Sequence, residues 1–205
     1  MLKPLLIALQ RVASDLDAAG APFALVGGLA VAARAVARYT KDVDLAVAVS
    51  QDREAEALVR SLIGKGYRLV GQLEHLDTFR FATVRLLPPR GLLAEAESPI
   101  IDLLFATCGI EQDIVADAEP LAVDEGLTVR VARTGHLIAQ KLLAQHPVKR
   151  PQDSIDARRL LQDAPASEID LARRAMRLIS ERGYARGKSL EADLDVMLAE
   201  RDANP

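Results

Sequence analysis

Two aspartates, Asp42 and Asp44, open an apolar segment in this chain of 205 residues. The segment continues as Leu45-Ala46-Val47-Ala48-Val49, a composition typical of a buried β-strand. Side chains alternate between the two faces of a strand, so both carboxylates are predicted to project from the same face. Two adjacent carboxylates in apolar surroundings need a cation between them. The pair therefore predicts a divalent metal site.

A pair of glycines, Gly27 and Gly28, forms a candidate phosphate site. The pair follows a predicted strand at Phe23–Val26 and precedes a helix predicted from about Leu29 to Arg38. A strand that turns through glycines into a helix N-terminus presents backbone N–H groups to an anion, and the helix dipole favours negative charge there. A phosphate cradle beside metal-binding carboxylates indicates a site for a nucleoside triphosphate.

A third acid, Asp102, lies inside the apolar run Ile100–Phe105, whose length and β-branched content predict a central strand. A strand next to Asp42 and Asp44 would compensate its buried charge through a shared metal ion. Alternatively, Asp102 lies at an exposed strand end or pairs with an arginine. Three converging carboxylates imply two Mg²⁺ ions, one on the triphosphate and one that lowers the pKa of an attacking hydroxyl, with Asp102 placed to take its proton.

The order of these features resembles the signature of the DNA polymerase beta-type nucleotidyltransferase superfamily. In that superfamily a Gly-Gly or Gly-Ser turn is followed, about one helix later, by Asp-x-Asp or Asp-x-Glu, here Asp42-Val43-Asp44. Its third carboxylate lies on a neighbouring strand, and Asp102 is the matching position. The resemblance implies nucleotidyl transfer with release of pyrophosphate, and an α/β fold with a mixed, twisted sheet flanked by helices. The alternative is an ordinary turn followed by two solvated acids.

The basic region of the chain, residues 130–159, contains seven Lys or Arg and two Asp. Lys141 stands within a predicted apolar helix, where a lone ammonium is either a phosphate contact or a surface group whose stem covers apolar atoms. Pro151 begins a second predicted helix. Asp153 and Asp156, three residues apart, are predicted to share one face of it.

A helical lysine followed by a basic turn and Asp-x-x-Asp resembles the C-terminal motif of the abortive-infection nucleotidyltransferase toxins, the AbiEii and MenT type. With the early glycines and aspartates, this resemblance covers residues from about 23 to 160. It implies an NTP donor, tRNA or another RNA as acceptor, and a cognate antitoxin as partner. The residues implied at the nucleotide site are Gly27, Gly28, Lys141, Arg150, Asp153 and Asp156. The chain departs from the family at Gln152, commonly Lys, and at Gly28, often Ser.

Length and composition limit the other possibilities. The chain can hold one α/β core with a helical appendage, and we divide it into a nucleotidyltransferase core domain, 1–132, and a helical C-terminal region, 133–205. A net charge of −3 predicts that any contact with nucleic acid is local. The single cysteine, Cys108, excludes an intramolecular disulfide and a cysteine-rich zinc site. No apolar run suits a membrane span or a signal peptide, so we expect a cytoplasmic protein without a membrane partner.

Periodic patterns predict the remaining elements. Apolar spacing predicts helices at the N-terminus, after Gln51 and through the last forty residues, and a helix capped by Thr134. Alternation predicts strands at Tyr67–Leu73, Thr78–Leu87 and Leu127–Val131, with Thr83 and Arg85 on one side of the second. His75, between the first two strands, is predicted to be a solvated loop residue.

Three functions stay open at this point. The first is a Mg²⁺-dependent nucleotidyltransferase that moves a nucleoside monophosphate from an NTP to an acceptor hydroxyl, with an RNA acceptor and a toxin role implied by the resemblance. The second transfers to a small molecule, as antibiotic-adenylylating enzymes do; the low aromatic content of three Tyr, four Phe and no Trp argues weakly against an RNA platform of stacked bases and leaves this function open. The third is a non-catalytic nucleotide-binding module, against which the presence of all three acids argues.

Overall fold

The computed structural model describes residues 2–35, 40–74 and 80–203. The predicted helix end at Arg38, the predicted strand start at Thr78, and His75 lie outside these ranges. The strands of the described residues are β1 Phe23–Val26, β2 Asp42–Val47, β3 Arg68–Glu74, β4 Phe81–Leu87, β5 Ile100–Leu104, β6 Glu119–Asp124 and β7 Leu127–Val131. The helices are α1 Leu2–Ala18, α2 Gly27–Arg34, α3 Asp52–Gly64, α4 Glu111–Asp117, α5 Thr134–Ala144, α6 Pro151–Gln162, α7 Ala166–Glu181 and α8 Leu190–Ala203, with a 3₁₀ turn at Glu95–Glu97.

The strands of the described ranges form one mixed sheet in the order β3-β4-β5-β2-β1-β7-β6. β2 runs parallel to β5 and antiparallel to β1, and β1 runs parallel to β7. β3, β4 and β5 are successive antiparallel neighbours, as are β6 and β7. The predicted α/β fold with a mixed sheet and flanking helices is confirmed. The sheet places the two strands that carry the predicted acids side by side at its centre.

The hydrophobic core extends from the sheet into the C-terminal helices. Val43, Leu45 and Val47 are fully buried on the face of β2 opposite the two aspartates, as alternation predicts. The same cluster of buried side chains includes Leu137 on α5 and Met197 on α8. The division at residue 132 therefore runs through packed elements and stays a prediction. Within the described ranges, no helix has the length and apolar character needed to cross a membrane.

The start of α5 differs from the prediction. Thr134 is the first residue of the helix, and no side chain caps it from the preceding residue. Instead, the carboxylate of Glu168 on α7 accepts a hydrogen bond of 2.7 Å from the N–H of Gly135 and also pairs with Arg133. A carboxylate near a helix N-terminus is stabilised by the helix dipole. Glu168, which is distant in sequence, therefore caps the start of α5 in place of Thr134.

Two elements, α4 and β6, were not predicted. α4 has seven residues, of which Ile114 and Val115 are its buried apolar side chains. Its first residue, Glu111, is buried and accepts hydrogen bonds from the backbone N–H groups of Thr107 and Cys108 at 2.6 and 2.8 Å. These bonds fix the helix start more than any apolar period does. Apolar periodicity cannot identify so short a helix.

Helices α5 and α7 approach closely at Gly135. A Cβ added there would lie 2.5 Å from the carbonyl oxygen of Glu168 and 2.9 Å from the backbone nitrogen of Ala172. Contacts this short require the backbone of α7 to move. The absence of a side chain at this position therefore sets the distance between the two helices.

We expect Gly135→Ala to lower the free energy of unfolding by about 1–3 kcal/mol, because the added methyl group overpacks a tight contact. Urea unfolding followed by circular dichroism measures the change. Gly64→Ala at the end of α3 is the matched control, since a Cβ there has no atom within 4 Å. The control should be neutral or stabilising by less than about 1 kcal/mol. Equal losses in the two variants would contradict the packing argument.

Candidate active site

Three aspartates share one face at the centre of the sheet. The register of parallel strands β2 and β5 pairs Asp44 with Asp102, and Asp42 with Ile100. Paired residues lie on the same face of a sheet, and so do residues two apart on one strand. Asp42, Asp44 and Asp102, the three acids predicted as ligands, are therefore brought together.

The glycine pair is built against the second aspartate. α2 begins at Gly27 and not at Leu29 as predicted, because Gly27 adopts a φ of +64° that turns the strand directly into the helix. A Cβ at Gly27 would overlap the carboxylate of Asp44. The backbone N–H of Gly28 donates a hydrogen bond to that same carboxylate. The glycines and Asp44 thus form one structural unit.

The pKa values of Asp42 and Asp44 are raised by burial and by the nearby charge of Asp102. Burial raises the pKa of Asp44 to about 6, and the charge of Asp102 adds to the increase. The ammonium of Lys141 and the Gly28 N–H oppose it. Burial and the charge of Asp102 also raise the pKa of Asp42. Ionising this group of carboxylates is unfavourable without a cation, which is the electrostatic condition that a divalent metal ion relieves.

Arg85 on β4 holds the third acid, and it was not predicted as a site residue. Its Nε and Nη2 donate to Oδ1 and Oδ2 of Asp102 at 2.9 and 2.8 Å, a bidentate pair. The Asp102 side chain is 7% exposed, whereas that of Arg85 is 52% exposed. For Asp102, the sequence left pairing with an arginine as an alternative to metal binding. Here the arginine approaches Asp102 from β4 and Asp44 flanks it from β2, so one carboxylate has both neighbours.

The donor set suits Mg²⁺ by its chemistry, since carboxylate oxygens are the ligands that hard cations prefer. Asp42 and Asp44 contribute carboxylates from one strand and face. Among the residues described, however, no three His, Cys, Asp or Glu side chains are already close enough to hold a metal ion. Both oxygens of Asp102 are engaged by Arg85. Asp42 and Asp44 therefore have the chemistry for such an ion, whereas Asp102 is held by the arginine in this structure.

A buried ion cluster lies across from the acids. The Nζ of Lys141 lies 2.8 Å from Oδ1 of Asp153 and 3.0 Å from Oδ2 of Asp156. The Nε of Arg150 lies 2.8 Å from Oδ2 of Asp153. Lys141 is 7% exposed, and Asp156 is completely buried. Two cations and two anions balance one another here, which is the condition under which charges can be buried.

One cleft of about 590 Å³ brings these groups together, a volume that suits a small-molecule ligand. Eight of the nine residues predicted for the site line it: Gly27, Gly28, Asp42, Asp44, Asp102, Lys141, Arg150 and Asp153. Asp156 is not among them, because it lies behind Lys141 and contacts the cleft through that ammonium. The lining also includes Arg85, Thr107 and Arg186, which were not predicted. Strand alternation was the sequence pattern that could have identified Arg85 as a site residue, because it places Arg85 on the same side of its strand as Thr83.

Comparison with protein families identifies the chain's relatives. A family model described as "Nucleotidyl transferase AbiEii toxin, Type IV TA system" matches residues 8–205. The chain belongs to the AbiEii nucleotidyltransferase toxin family. It is therefore an enzyme of the nucleotidyltransferase class, as the early glycine and aspartate motifs predicted. No curated protein matches the sequence significantly.

Several solved structures are similar in fold to this AbiEii protein, including the following two. ANT(2")-Ia, in complex with adenylyl-2"-tobramycin, is 20% identical with a TM-score of 0.52, over 86% of this chain and 98% of that chain. An antigenic nucleotidyltransferase-like protein from Paracoccidioides brasiliensis is 17% identical with a TM-score of 0.55, over 96% and 91% of the two chains. At these identities the likeness shows the fold, not the acceptor.

Gln152 is the departure from the AbiEii late motif that the structure explains. Its Nε2 donates to Oδ1 of Asp156 at 2.9 Å. A neutral amide therefore satisfies one oxygen of the buried carboxylate, whereas Lys141 pairs with the other. The cluster keeps its charge balance without a lysine at position 152, because Arg150 supplies the second cation.

We expect Asp44→Asn to stabilise the protein in the absence of metal ions. The pKa of Asp44 is about 6 in the folded state, above its unfolded value of about 3.9, so the unfolded chain releases the proton first and stability falls as pH rises between these values. The full shift corresponds to roughly 3 kcal/mol. We expect about half, since Asp44 keeps some contact with solvent.

Urea unfolding in EDTA, at about pH 5 and about pH 7.5, measures this gain. The gain should be larger at the higher pH, where the wild-type carboxylate is charged in the folded state. Asp17→Asn, an exposed carboxylate on α1, should change stability by less than about 0.5 kcal/mol. A gain that does not depend on pH would contradict the proposed crowding of acids.

We expect Lys141→Met to lower the free energy of unfolding by about 3–5 kcal/mol, because Asp153 and Asp156 would stay buried without their shared ammonium. Lys149→Met removes the same charge from an exposed side chain and should change stability by less than about 0.5 kcal/mol. Thermal and urea unfolding of both variants test the difference. Losses of similar size would show that the buried cluster does not stabilise the fold.

Proposed function

We propose that this AbiEii enzyme transfers a nucleoside monophosphate from an NTP to a hydroxyl of an RNA acceptor, tRNA being the first candidate, and that it requires Mg²⁺. The observation that supports this most is the register of β2 and β5, which pairs Asp44 with Asp102 beside the glycine pair. Nucleotidyl transfer depends chiefly on positioning and on stabilising charge at phosphorus. The cleft supplies carboxylates on one wall and cations on the other.

Asp42 and Asp44 are the proposed ligands of Mg²⁺, with Asp102 as a shared ligand. When bound, the ion would neutralise triphosphate charge and lower the pKa of the acceptor hydroxyl. Lys141 contributes at a distance, since its ammonium lowers the pKa of Asp44 and so favours the ionised ligand. Asp153 and Asp156 keep that ammonium in place.

The donor triphosphate is proposed to lie between the glycine pair and the basic turn. The N-terminus of α2 favours negative charge at Gly27 and Gly28. Arg150 and Lys149 are exposed at the opposite wall and can contact phosphate oxygens. In this proposed arrangement the leaving pyrophosphate lies next to the glycines.

Asp102 is the proposed proton acceptor, and Arg85 is a positioning residue. As the acceptor oxygen bonds to the α-phosphorus, its proton passes to the carboxylate of Asp102 and the bond to pyrophosphate breaks. The bidentate contact with Arg85 fixes the orientation of that carboxylate. The half-exposed guanidinium can hold Asp102 without filling the cleft.

The family description names a Type IV toxin–antitoxin system. We therefore propose that the enzyme acts as the toxin and that a cognate antitoxin opposes it, both in the cytoplasm. Expression of the wild-type chain should slow bacterial growth, and the neighbouring reading frame should relieve that effect.

Transfer to a small molecule is the second candidate function. ANT(2")-Ia, which shares the fold, was crystallised with adenylyl-2"-tobramycin. None of the described residues that line the cleft is aromatic, so no aromatic ring there can stack on an RNA base. This observation favours an acceptor that is held by charge or hydrogen bonds.

Labelled transfer distinguishes these functions. Incubation with each NTP labelled at the α-phosphorus, Mg²⁺ and total RNA should label RNA in the size range of tRNA. Asp44→Asn and Asp102→Asn should slow transfer at least about 100-fold, since each loses a proposed ligand or proton acceptor. Asp17→Asn should keep full activity.

Binding measurements distinguish a loss of catalysis from a loss of nucleotide binding. Mg²⁺ with NTP should raise the Tm of the wild type, and this shift should shrink in Asp44→Asn. Label found on a small molecule and never on RNA would favour the second function. If no labelled product forms and calorimetry detects no NTP binding, both proposed functions are contradicted.

A further inference from the structure

A second cleft, of about 870 Å³, opens beside the candidate active site. Leu73, Thr83, Thr107 and Arg186 line both clefts, so the two are continuous. The functions proposed for the first cleft leave the second without an occupant. Its position relative to the three acids indicates what that occupant is.

The second cleft lies beyond Asp102, on the side of the acids away from the glycine pair. In the sheet order, β4 and β3 lie beyond Asp102, whereas the glycine pair at the end of β1 lies on the other side of β2. In an in-line displacement, the attacking and leaving oxygens stand on opposite sides of the phosphorus. If pyrophosphate leaves next to the glycines, the acceptor hydroxyl must approach past Asp102, from the second cleft.

Arg186 stands at the junction of the two clefts, in the loop between α7 and α8. Its Nη2 donates to the carbonyl oxygen of Thr107 at 2.8 Å. Its φ is +55°, and within the described ranges no other residue except glycine has a positive φ. Such backbone strain persists only where the surroundings impose it, and it concentrates at functional sites.

Contacts on both sides of Arg186 impose this conformation. The ring of Tyr184 is buried and packs so closely on Gly109 that any side chain at position 109 would overlap it. The Nζ of Lys188 donates to the carbonyl oxygens of Leu143 and Gln145, at 2.7 and 2.6 Å, at the end of α5. The loop is therefore fixed between the turn after β5 and the end of α5. The guanidinium of Arg186 is presented at a defined place.

The charges of the second cleft limit the chemistry of its ligand. Among its described lining residues, Arg186 is the cation and Glu74 is the acid. A polycationic acceptor such as an aminoglycoside would need several carboxylates, and Arg186 would repel it. A fixed guanidinium instead matches the geometry of a phosphate group.

We propose that the second cleft receives the end of an RNA strand and that Arg186 binds its terminal phosphodiester, which places the strand's hydroxyl next to Asp102. This proposal rests on the proposed nucleotidyl transfer and specifies its acceptor site. The chemistry of the step is unchanged. Arg186 contributes affinity and orientation for the acceptor, not for the donor.

Arg186→Gly is the decisive variant. Glycine adopts the same φ without strain, so the Tm should be equal to or above that of the wild type. The Kd for a single-stranded RNA with a 5′ fluorescent label and a free 3′-hydroxyl should rise about tenfold or more, measured by anisotropy. The slope of log K against log salt should fall by about 0.7, the loss of one phosphate contact. Calorimetry should find an unchanged Kd for Mg²⁺ with NTP.

Arg174→Gln is the matched control. Arg174 is exposed on α7 and lines neither cleft, so its removal should leave RNA affinity and salt slope near the wild-type values. Wild-type RNA affinity and slope in Arg186→Gly would overturn the proposal, as would a wild-type enzyme that binds no RNA. A lowered Tm with an unchanged salt slope would show that Arg186 only holds the loop. Failure of NTP binding in the wild type would instead remove the proposed function itself.

Discussion

The pairing of Asp44 with Asp102 across two parallel strands is the constraint on which the site depends. Two carboxylates held this close in the middle of a sheet are unfavourable, and burial raises the pKa of Asp44 to about 6. Gly27 has no side chain because Asp44 occupies that space. Folding therefore keeps a repulsion at the point where a divalent cation would relieve it.

The cations around these acids are themselves fixed by other acids. Lys141 favours the charge on Asp44 and is held by two aspartates of α6. Arg85 holds Asp102 from the neighbouring strand. Charges alternate from the sheet through α5 to α6, since Lys141 stands between Asp44 and the two aspartates of α6. This alternation explains why the C-terminal helices share the core with the sheet and are part of the site.

Local patterns were sufficient to predict β1, β2, β5 and the face shared by Asp42 and Asp44, because strand alternation is a property of neighbouring residues. Long-range pairing was not predictable in the same way. Arg85 was placed on a face by alternation, but its contact with Asp102 required β4 to lie next to β5. Glu168 reaches the start of α5 from another helix. The positive φ of Arg186 could not be predicted from its residue type, because arginine rarely adopts that conformation.

The distribution of arginines on α7 and beyond limits where the proposed RNA acceptor could be bound by a chain with a net charge of −3. Arg173, Arg177 and Arg182 form ion pairs with acids on α8 and α4, so they join helices and do not present a basic surface. Recognition would then rest on Arg186 at the cleft junction. Few phosphate contacts give weak binding to the body of a nucleic acid. Under the proposed function, such a protein would favour a strand end, where one phosphodiester and one hydroxyl are presented together.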